Sequence, residues 1–286
     1  MGDRSSAVQR KNSMFYGALL LTCGSIALRF VQMVFQVYIS GVMGAGGLGR
    51  MQLIMTIGSL AAIFASGGVR IAVTCLAAEE AGMDNPSGVR TAVRCCGLYG
   101  LILSLIVAVV LYWMSAPLAS IIVQDSTAVL PIRILALFLP VTCLWSVLAG
   151  YYTASGRITE LVVMELVERL LSIGLVALAL RTSITDPCAA ILLGSSLAST
   201  VCFIYLLLRY CGFIRYVPSM PVAPMMRRLL YLTIPLGFND ILRSGLSTLE
   251  NFLIPRGLRR SGASREEALA AYGTIEIGRA SCRERV

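Results

Sequence analysis

The stretch "TCGSIALRFVQMVFQVYIS", residues 22–40, decides how this chain folds, because it is apolar enough for a lipid bilayer and yet carries Arg29 near its middle. A helix that crosses a membrane needs about 20 mostly apolar residues. Six polar residues follow one another at intervals of three or four, so they share one face of a helix. They are Thr22, Ser25, Arg29, Gln32, Gln36 and Ser40. The pattern predicts a membrane helix whose polar stripe faces other helices or a water-filled cavity.

The composition of the whole chain is that of an integral membrane protein. Of its 286 residues, 57% are hydrophobic and 14% are charged, whereas an average soluble domain has about 25% charged residues. Short connections join seven apolar runs, which predict an all-α, polytopic transmembrane helix bundle. The runs are residues 14–40, 51–77, 93–114, 130–153, 161–180, 188–208 and 229–255.

The net charge of +9 predicts how the chain lies in the membrane. The basic residues concentrate in the N-terminal segment and in every second connection, a distribution that favours membrane topology over nucleic-acid binding. They are Arg4, Arg10, Lys11, Arg90, Arg94, Arg157, Arg209, Arg215, Arg227 and Arg228. Because cytoplasmic loops carry an excess of Lys and Arg, the N-terminus is predicted to lie in the cytoplasm. A basic segment after residue 255 departs from this rule.

Motifs for metal binding, cofactors or catalysis are lacking in the sequence. The nine cysteines lie mostly inside apolar runs, no C-x-x-C occurs, and the chain has no histidine, so cysteine is expected to act as a small apolar residue. The stretch "GAGGLG", residues 44–49, fits G-x-G-x-x-G but lies between two predicted spans rather than after a strand. We therefore predict a tight interhelical turn there, no metal, no cofactor and no enzymatic activity.

Charged residues also interrupt three other apolar runs. A charge at the centre of a membrane helix costs about 2.5–3.5 kcal/mol even on the lenient insertion scale. These residues are Arg70 in the second run, Glu165, Glu168 and Arg169 in the fifth, and Asp240, Arg243 and Glu250 in the seventh. Glu165 with Arg169, and Asp240 with Arg243, have the spacing of structural ion pairs. Pro235 and Gly237 predict a kinked or broken seventh helix.

Arg29 has no acidic residue on its own helix, which favours a functional interpretation of this arginine. A guanidinium group in a membrane cavity suits a pyrophosphate or another anion, which it can bind through two parallel hydrogen bonds. The predicted binding residues for such an anion are Arg29, Gln32, Gln36, Arg70 and Arg243. The acidic cluster and its neighbours, Glu165, Glu168, Arg169, Asp240 and Glu250, are interpreted either as sites for a coupling cation or as buried ion pairs.

The segment "EIGRASCRERV", residues 276–286, differs in character from the rest of the chain. Its residues can be spelled by codons that contain AGATCGGAAGAGCGTCGTGTAGGGAAAGAG, which resembles a widely used sequencing adapter read through in frame. We therefore predict that residues 276–286 are not native, that the natural protein continues past Ile275, and that the chain is an N-terminal fragment.

Two stretches, residues 28–82 and residues 234–275 with "LIPRGL" and "EEALAAYG", resemble the stage V sporulation protein B group of polysaccharide exporters. This group belongs to the multidrug/oligosaccharidyl-lipid/polysaccharide (MOP) exporter superfamily. The resemblance implies a two-lobed helix bundle around a central cavity. It assigns residues 1–13 to a cytoplasmic N-terminus, 14–225 to the first six-helix lobe and 226–275 to the first helix of the second lobe with the loop after it.

The same resemblance implies a flippase in the plasma membrane that moves a polyprenyl-pyrophosphate-linked glycan, a peptidoglycan precursor or surface polysaccharide unit, by alternating access. Arg29 matches a first-helix cavity arginine of the related lipid II flippases, whereas a second such arginine is replaced here by Phe35. The expected partners are the lipid-linked glycan, membrane lipids and a coupling cation, with no nucleic acid. Two alternatives stay open: a cation-coupled multidrug exporter, and a non-transporting membrane scaffold in envelope or spore assembly.

Overall fold

The computed structural model describes residues 2–123, 125–181, 186–214 and 222–260, and this part of the chain is almost entirely helical. The all-α prediction is thereby confirmed. The elements are α1 (Gly2–Ser66), α2 (Val69–Gly82), α3 (Pro86–Trp113), α4 (Ser115–Leu118), a π-helical turn (Ala119–Val123), a 3-10 turn (Ser126–Ala128), α5 (Val129–Ala154), α6 (Ile158–Arg181), α7 (Pro187–Ile214) and α8 (Val222–Arg260).

Five helical segments of the described chain are long and apolar enough to cross a membrane. They are Ile26–Gly44, Gly46–Gly82, Pro86–Trp113, Val129–Ala154 and Pro187–Phe213. The other two predicted spans fall within α6 and α8, which are helical but more polar, because they carry the charged residues noted in the sequence. The chain is thus a multi-pass membrane protein.

The first two spans are joined at Gly44 inside α1, where the backbone leaves the helical conformation (φ 68°, ψ 175°). This positive φ is readily adopted by glycine, which has no Cβ to clash with the backbone. A Cβ at Gly24 would lie 2.7 Å from Val162 near the start of α6, whereas Arg50 bonds with the connection at the opposite end of α6. The Thr74 hydroxyl in α2 then donates to the Gly150 carbonyl near the end of α5, which adjoins the start of α6. The chain therefore reverses its direction across the bundle near Gly44.

A second break separates α1 from α2 at Gly67 and Gly68, inside the predicted span 51–77. Gly68 has a φ of 71°, and a Cβ there would lie only 2.8 Å from the Cβ of Leu236 in α8. A Cβ at Gly67 would lie 3.4 Å from the Cα of Gly237. The sequence suggested a kink or break at Pro235 and Gly237 themselves, but α8 continues as a helix through both residues. The helix break lies instead at Gly67 and Gly68, which α8 crosses. The two backbones come so close there that glycine is needed in both segments, at Gly67 and Gly68 and at Gly237.

The bundle has two ends, which are named here by the arginines that organise them. The Arg50 end contains Gly44, residues 114–123 and 125–128, and Asp186. The Arg228 end contains the connections 83–85 and 155–157 and the start of α8. Each end has its own apolar core cluster, one around Ile54 and Ile132 and the other around Val73 and Tyr152.

Candidate functional site

The predicted polar stripe lies on the exposed part of α1. Arg29, Gln32 and Gln36 are all exposed, and only 6% of the apolar window in Ile26–Gly44 is buried inside the described chain. Apolar side chains of the same span are equally open, with Phe30 68% and Val37 65% exposed. This span thus offers most of its surface, polar and apolar, for further contacts, and the cavity location of its polar stripe stays a prediction.

Arg70 lies in the first turn of α2, directly after the break at Gly68. Its side chain is exposed, while its backbone carbonyl accepts a hydrogen bond of 2.8 Å from the Thr74 hydroxyl. A Cβ at Gly150 of α5 would lie 2.8 Å from that same carbonyl oxygen. Close packing of α2 on α5 therefore holds the backbone of Arg70 and leaves its guanidinium group at the surface.

The charged residues of α6 occupy the boundary with α7. Glu165 and Glu168 are half-buried and Arg169 is exposed. Glu168 lies beside Ser199 of α7 and is near enough to Arg169 and Glu165 for electrostatic interaction. The ion pairs of the described residues lie at the two ends of the bundle, and the i,i+4 pair Glu165–Arg169 is not among them.

Three predicted residues belong to α8. Asp240 is half-buried. The side chains of Arg243 and Glu250 lie outside the described part of the structure, so their contacts with Asp240 or with the α1 stripe stay predictions.

The structure adds a charged cluster at the Arg50 end that sequence reasoning missed. Arg50 Nη1 donates hydrogen bonds to Asp125 Oδ2 at 3.1 Å and to Thr127 Oγ1 at 2.8 Å. Its Nη2 donates to Asp186 Oδ1 at 2.6 Å and to Cys188 Sγ at 3.4 Å. From sequence alone, Arg50 was an ordinary loop charge. The one available signal was that both aspartates lie in connections predicted for the same side of the membrane.

Asp125 is held in its ionised form within this cluster. Burial by itself would raise the pKa of Asp125, but hydrogen bonds from the Thr127 backbone and hydroxyl and from Arg50, together with the Arg50 charge, hold it below its usual value. The Asp125 and Asp186 side chains are 25% and 15% exposed. One arginine therefore neutralises two largely buried carboxylates from different connections of the bundle.

The cluster at the Arg228 end joins α8 to α2 and α3. Arg228 Nη2 lies 2.6 Å from Glu79 Oε1, and Nη1 donates to Glu80 Oε1 at 3.2 Å. Asn85 Nδ2 donates to the other oxygen of Glu80 at 2.8 Å, and Asn85 Oδ1 accepts from the Gly88 N–H at 3.2 Å, which caps α3. The buried Glu80 carboxylate thus connects the start of α8 with the turn between α2 and α3.

A helical bundle with several apolar spans and charged clusters at both ends defines a multi-pass membrane protein. A family model described as "Polysaccharide biosynthesis protein" matches residues 15–272. The chain therefore belongs to the polysaccharide biosynthesis protein family, which agrees with the wider group that its sequence resembles. No curated protein matches the chain.

Solved transporter structures share this fold. An outward-facing multidrug resistance MATE family transporter of the MOP superfamily has a TM-score of 0.65 and 16% identity, over 91% of this chain and 58% of its own. An inward-facing structure of such a transporter has a TM-score of 0.64 and 15% identity, over 86% and 56%. A MOP superfamily transporter from Pyrococcus furiosus, described as having a binding pocket of reverse polarity, has a TM-score of 0.64 and 16% identity, over 83% and 53%.

The chain spans little more than half the length of these transporters. At identities of this size the likeness concerns the fold alone.

Proposed function

We propose that this chain forms the first lobe, with the first helix of the second, of a plasma-membrane flippase for a polyprenyl-pyrophosphate-linked glycan. The observation that carries the proposal is the family match over residues 15–272. The two-lobed arrangement is supported by solved transporters that are similar over 53–58% of their own length. The glycan would be a peptidoglycan precursor or a surface polysaccharide unit.

In the proposed mechanism, the polar stripe of α1 receives the anionic head group. Arg29 supplies a planar guanidinium that can bind two phosphate oxygens at once, and Gln32 and Gln36 offer hydrogen bonds along the same helix face. All three side chains are exposed. Arg70 and Arg243 would complete the cationic surface. The isoprenoid tail would stay in the lipid beside the exposed apolar residues of the same span.

Alternating access requires the two lobes to change their relative position around the site. The crossing of α8 over Gly67 and Gly68 provides a close backbone contact at which such a movement can occur with few side chains in the way. The half-buried carboxylates Glu165, Glu168 and Asp240 are the proposed sites for a coupling cation, together with Glu250, or the ion-pair partners of Arg169 and the other arginines.

The orientation in the membrane follows from the arginines at the Arg228 end. Arg90, Arg94, Arg157, Arg209 and Arg227 all lie at or next to this end. Since Lys and Arg are enriched on the cytoplasmic side of membrane proteins, we place the Arg228 end in the cytoplasm, and with it the N-terminus.

A multidrug exporter is the second candidate, because two of the similar structures are described as multidrug resistance transporters. A pump for organic cations is expected to have an acidic binding surface, and Glu165 and Glu168 on α6 favour this alternative. The exposed Arg29 disfavours it, since a guanidinium group repels a cationic drug.

The proposal is tested by measuring how polyprenyl pyrophosphate binds to the purified chain in detergent, with native mass spectrometry as the readout. Arg29→Ala should weaken this binding at least about tenfold, the loss of a hydrogen bond to a charged group. Arg181→Ala, which removes another exposed arginine at the end of α6, should leave it unchanged. Polyprenol, which lacks the pyrophosphate, should bind much more weakly.

Three results would contradict the flippase proposal. Equal binding by the Arg29→Ala and Arg181→Ala variants would remove the stripe from the head-group site. Tight binding of ethidium in place of the pyrophosphate would favour the multidrug exporter. Absence of binding to either probe would favour the membrane scaffold.

A further inference from the structure

Several arginines at the Arg228 end lack an acidic partner within the described chain. Arg228 pairs with Glu79 and Glu80, and Arg209 lies 3.4 Å from Glu160. Arg90 and Arg94, at the start of α3, form no ion pair in this part of the structure, although Arg90 is half-buried. Their positive charges are therefore available to a ligand.

The hydroxyl of Tyr210 in α7 is an unsatisfied polar group on which the charges of these two arginines act. Tyr210 is only 9% exposed, its hydroxyl is buried without a hydrogen-bond partner, and Arg94 and Arg90 are near enough to act on it electrostatically. The neighbouring Tyr152 hydroxyl, by contrast, donates to the Leu206 carbonyl at 3.3 Å. Leaving a buried hydroxyl without a hydrogen-bond partner is energetically unfavourable.

The rings around this hydroxyl hold it in position. Tyr151 meets Tyr210 edge to face, with ring centroids 4.9 Å apart and an interplanar angle of 81°, and it meets Tyr152 in the same way at 5.5 Å. Three aromatic rings packed at right angles to their neighbours fix the position of the Tyr210 ring.

On the surface of α3, the two arginines are followed by exposed apolar residues. Arg90, Arg94, Leu98 and Ile102 follow at intervals of four residues and therefore lie on adjoining turns of one helix face. Arg94 is exposed, and Leu98 and Ile102 are 51% and 52% exposed. Two cationic side chains at the end of a membrane helix, followed by open apolar side chains deeper in it, match the profile of an amphiphilic anion.

We propose that Arg90, Arg94 and the Tyr210 hydroxyl form a binding site for the phosphodiester of an anionic phospholipid, whose acyl chains lie along Leu98 and Ile102. In this site the two guanidinium groups neutralise the phosphate, and the Tyr210 hydroxyl donates a hydrogen bond to a phosphate oxygen. A soluble phosphate would use the cationic part alone. The exposed Leu98 and Ile102 therefore favour the lipid as the source of the anion.

This inference does not depend on the proposed function, since the site lies on α3 and α7 and shares no residue with the stripe of α1. The test uses the purified chain in detergent, titrated with phosphatidylglycerol or phosphatidylcholine and followed by native mass spectrometry. We expect phosphatidylglycerol to bind more tightly than phosphatidylcholine, and the double variant Arg90→Ala with Arg94→Ala to abolish this preference.

Three further variants separate a defined site from general surface charge. Tyr210→Phe keeps the ring and removes only the hydroxyl, and it should weaken phosphatidylglycerol binding about threefold to tenfold. Arg227→Ala removes an exposed arginine at the same end of the bundle and should have no effect. Arg29→Ala should leave phosphatidylglycerol binding intact, so this site and the flippase proposal can fail separately.

The proposal is overturned if Arg227→Ala weakens phosphatidylglycerol binding as much as the double variant does. The lipid would then be held only by the overall positive charge of this end and not by a defined site. The proposal is also overturned if Tyr210→Phe binds phosphatidylglycerol like the wild type, or if excess inorganic phosphate displaces the lipid. Persistence of the lipid in excess phosphate supports the site. Thermal unfolding of each variant is measured as the control that its fold is retained.

Discussion

The two ends of the bundle use the same kinds of charged residue in different ways. At the Arg50 end, one arginine binds two aspartates whose side chains are 25% and 15% exposed, and the arginine side chain itself is 20% exposed. At the Arg228 end, the arginine is 44% exposed and one of its two carboxylate partners is 54% exposed. The first cluster is largely enclosed by protein, whereas in the second only Glu80 is buried.

The difference lies in what each cluster joins. Arg50 connects three places within the first lobe: the start of the second span and the connections before α5 and before α7. Arg228 connects that lobe with α8, which would open the second lobe of a flippase. An enclosed cluster suits a fixed clamp, whereas a more exposed one suits a contact that can break and form again. Four experiments test this comparison.

Arg50→Ala is expected to have the largest effect, because it leaves two largely buried carboxylates without their cation. Breaking a buried ion pair on one side costs about 3–5 kcal/mol, and the partial exposure of this cluster places the loss near the lower limit. The free energy of unfolding in detergent micelles measures it. The control Arg181→Ala removes an exposed arginine at the same end and should lower the free energy of unfolding by less than about 0.5 kcal/mol. Similar losses for both variants would show that the Arg50 cluster is no clamp.

Gly68→Ala tests the contact between the two ends, where α8 crosses the break. The new Cβ would lie 2.8 Å from the Leu236 Cβ, and the φ of 71° is unfavourable for alanine. We expect a loss of about 2 kcal/mol from backbone strain and overpacking, measured by thermal unfolding. Gly82→Ala, where a Cβ would meet nothing within 4 Å, is the matched control and should be neutral. A stable Gly68→Ala protein would mean that α8 does not approach α2 so closely.

Glu80→Ala and Glu79→Ala separate the two partners of Arg228. The Glu80 side chain is 7% exposed and also bonded to Asn85, so its removal should cost about 1–2 kcal/mol. The Glu79 side chain is 54% exposed, so its removal should cost less than about 0.5 kcal/mol. Chemical denaturation of both variants measures the difference between their free energies of unfolding. Equal losses would contradict the view that Glu80 alone fixes the start of α8.

The pH dependence of the Arg50 cluster should give the smallest effect. Because the folded state holds the pKa of Asp125 below the usual 3.8, the carboxylate stabilises the fold above that value, and the stabilisation is lost as the pH falls through the lower folded value. The stability difference between wild type and Asp125→Asn should be constant from about pH 5 to 7 and should narrow below 3.8. A difference that widens in acid would show that Asp125 is not stabilised in its charged form.

The sequence predicted the helices well because both of their signals are local. Apolar runs of sufficient length and polar residues at intervals of three and four mark α1, α3, α5 and α7 without knowledge of their neighbours. The sequence did not reveal the break that a neighbouring helix decides. Pro235 and Gly237 suggested a kinked or broken α8, but α8 is not broken at these residues. The break falls at Gly67 and Gly68, because the close approach of two backbones excludes any side chain there.

By itself, the sequence determined that this chain is a multi-pass helical membrane protein, and it singled out Arg29 as a charge on a polar stripe. Only the tertiary structure decided which charges meet, since Asp125 and Asp186 lie 75 and 136 positions from Arg50, and it alone revealed the unsatisfied Tyr210 hydroxyl near Arg90 and Arg94. The physical reason is that helix formation depends on residues within a few turns. Ion pairing and burial, in contrast, depend on distances between helices that no local pattern records.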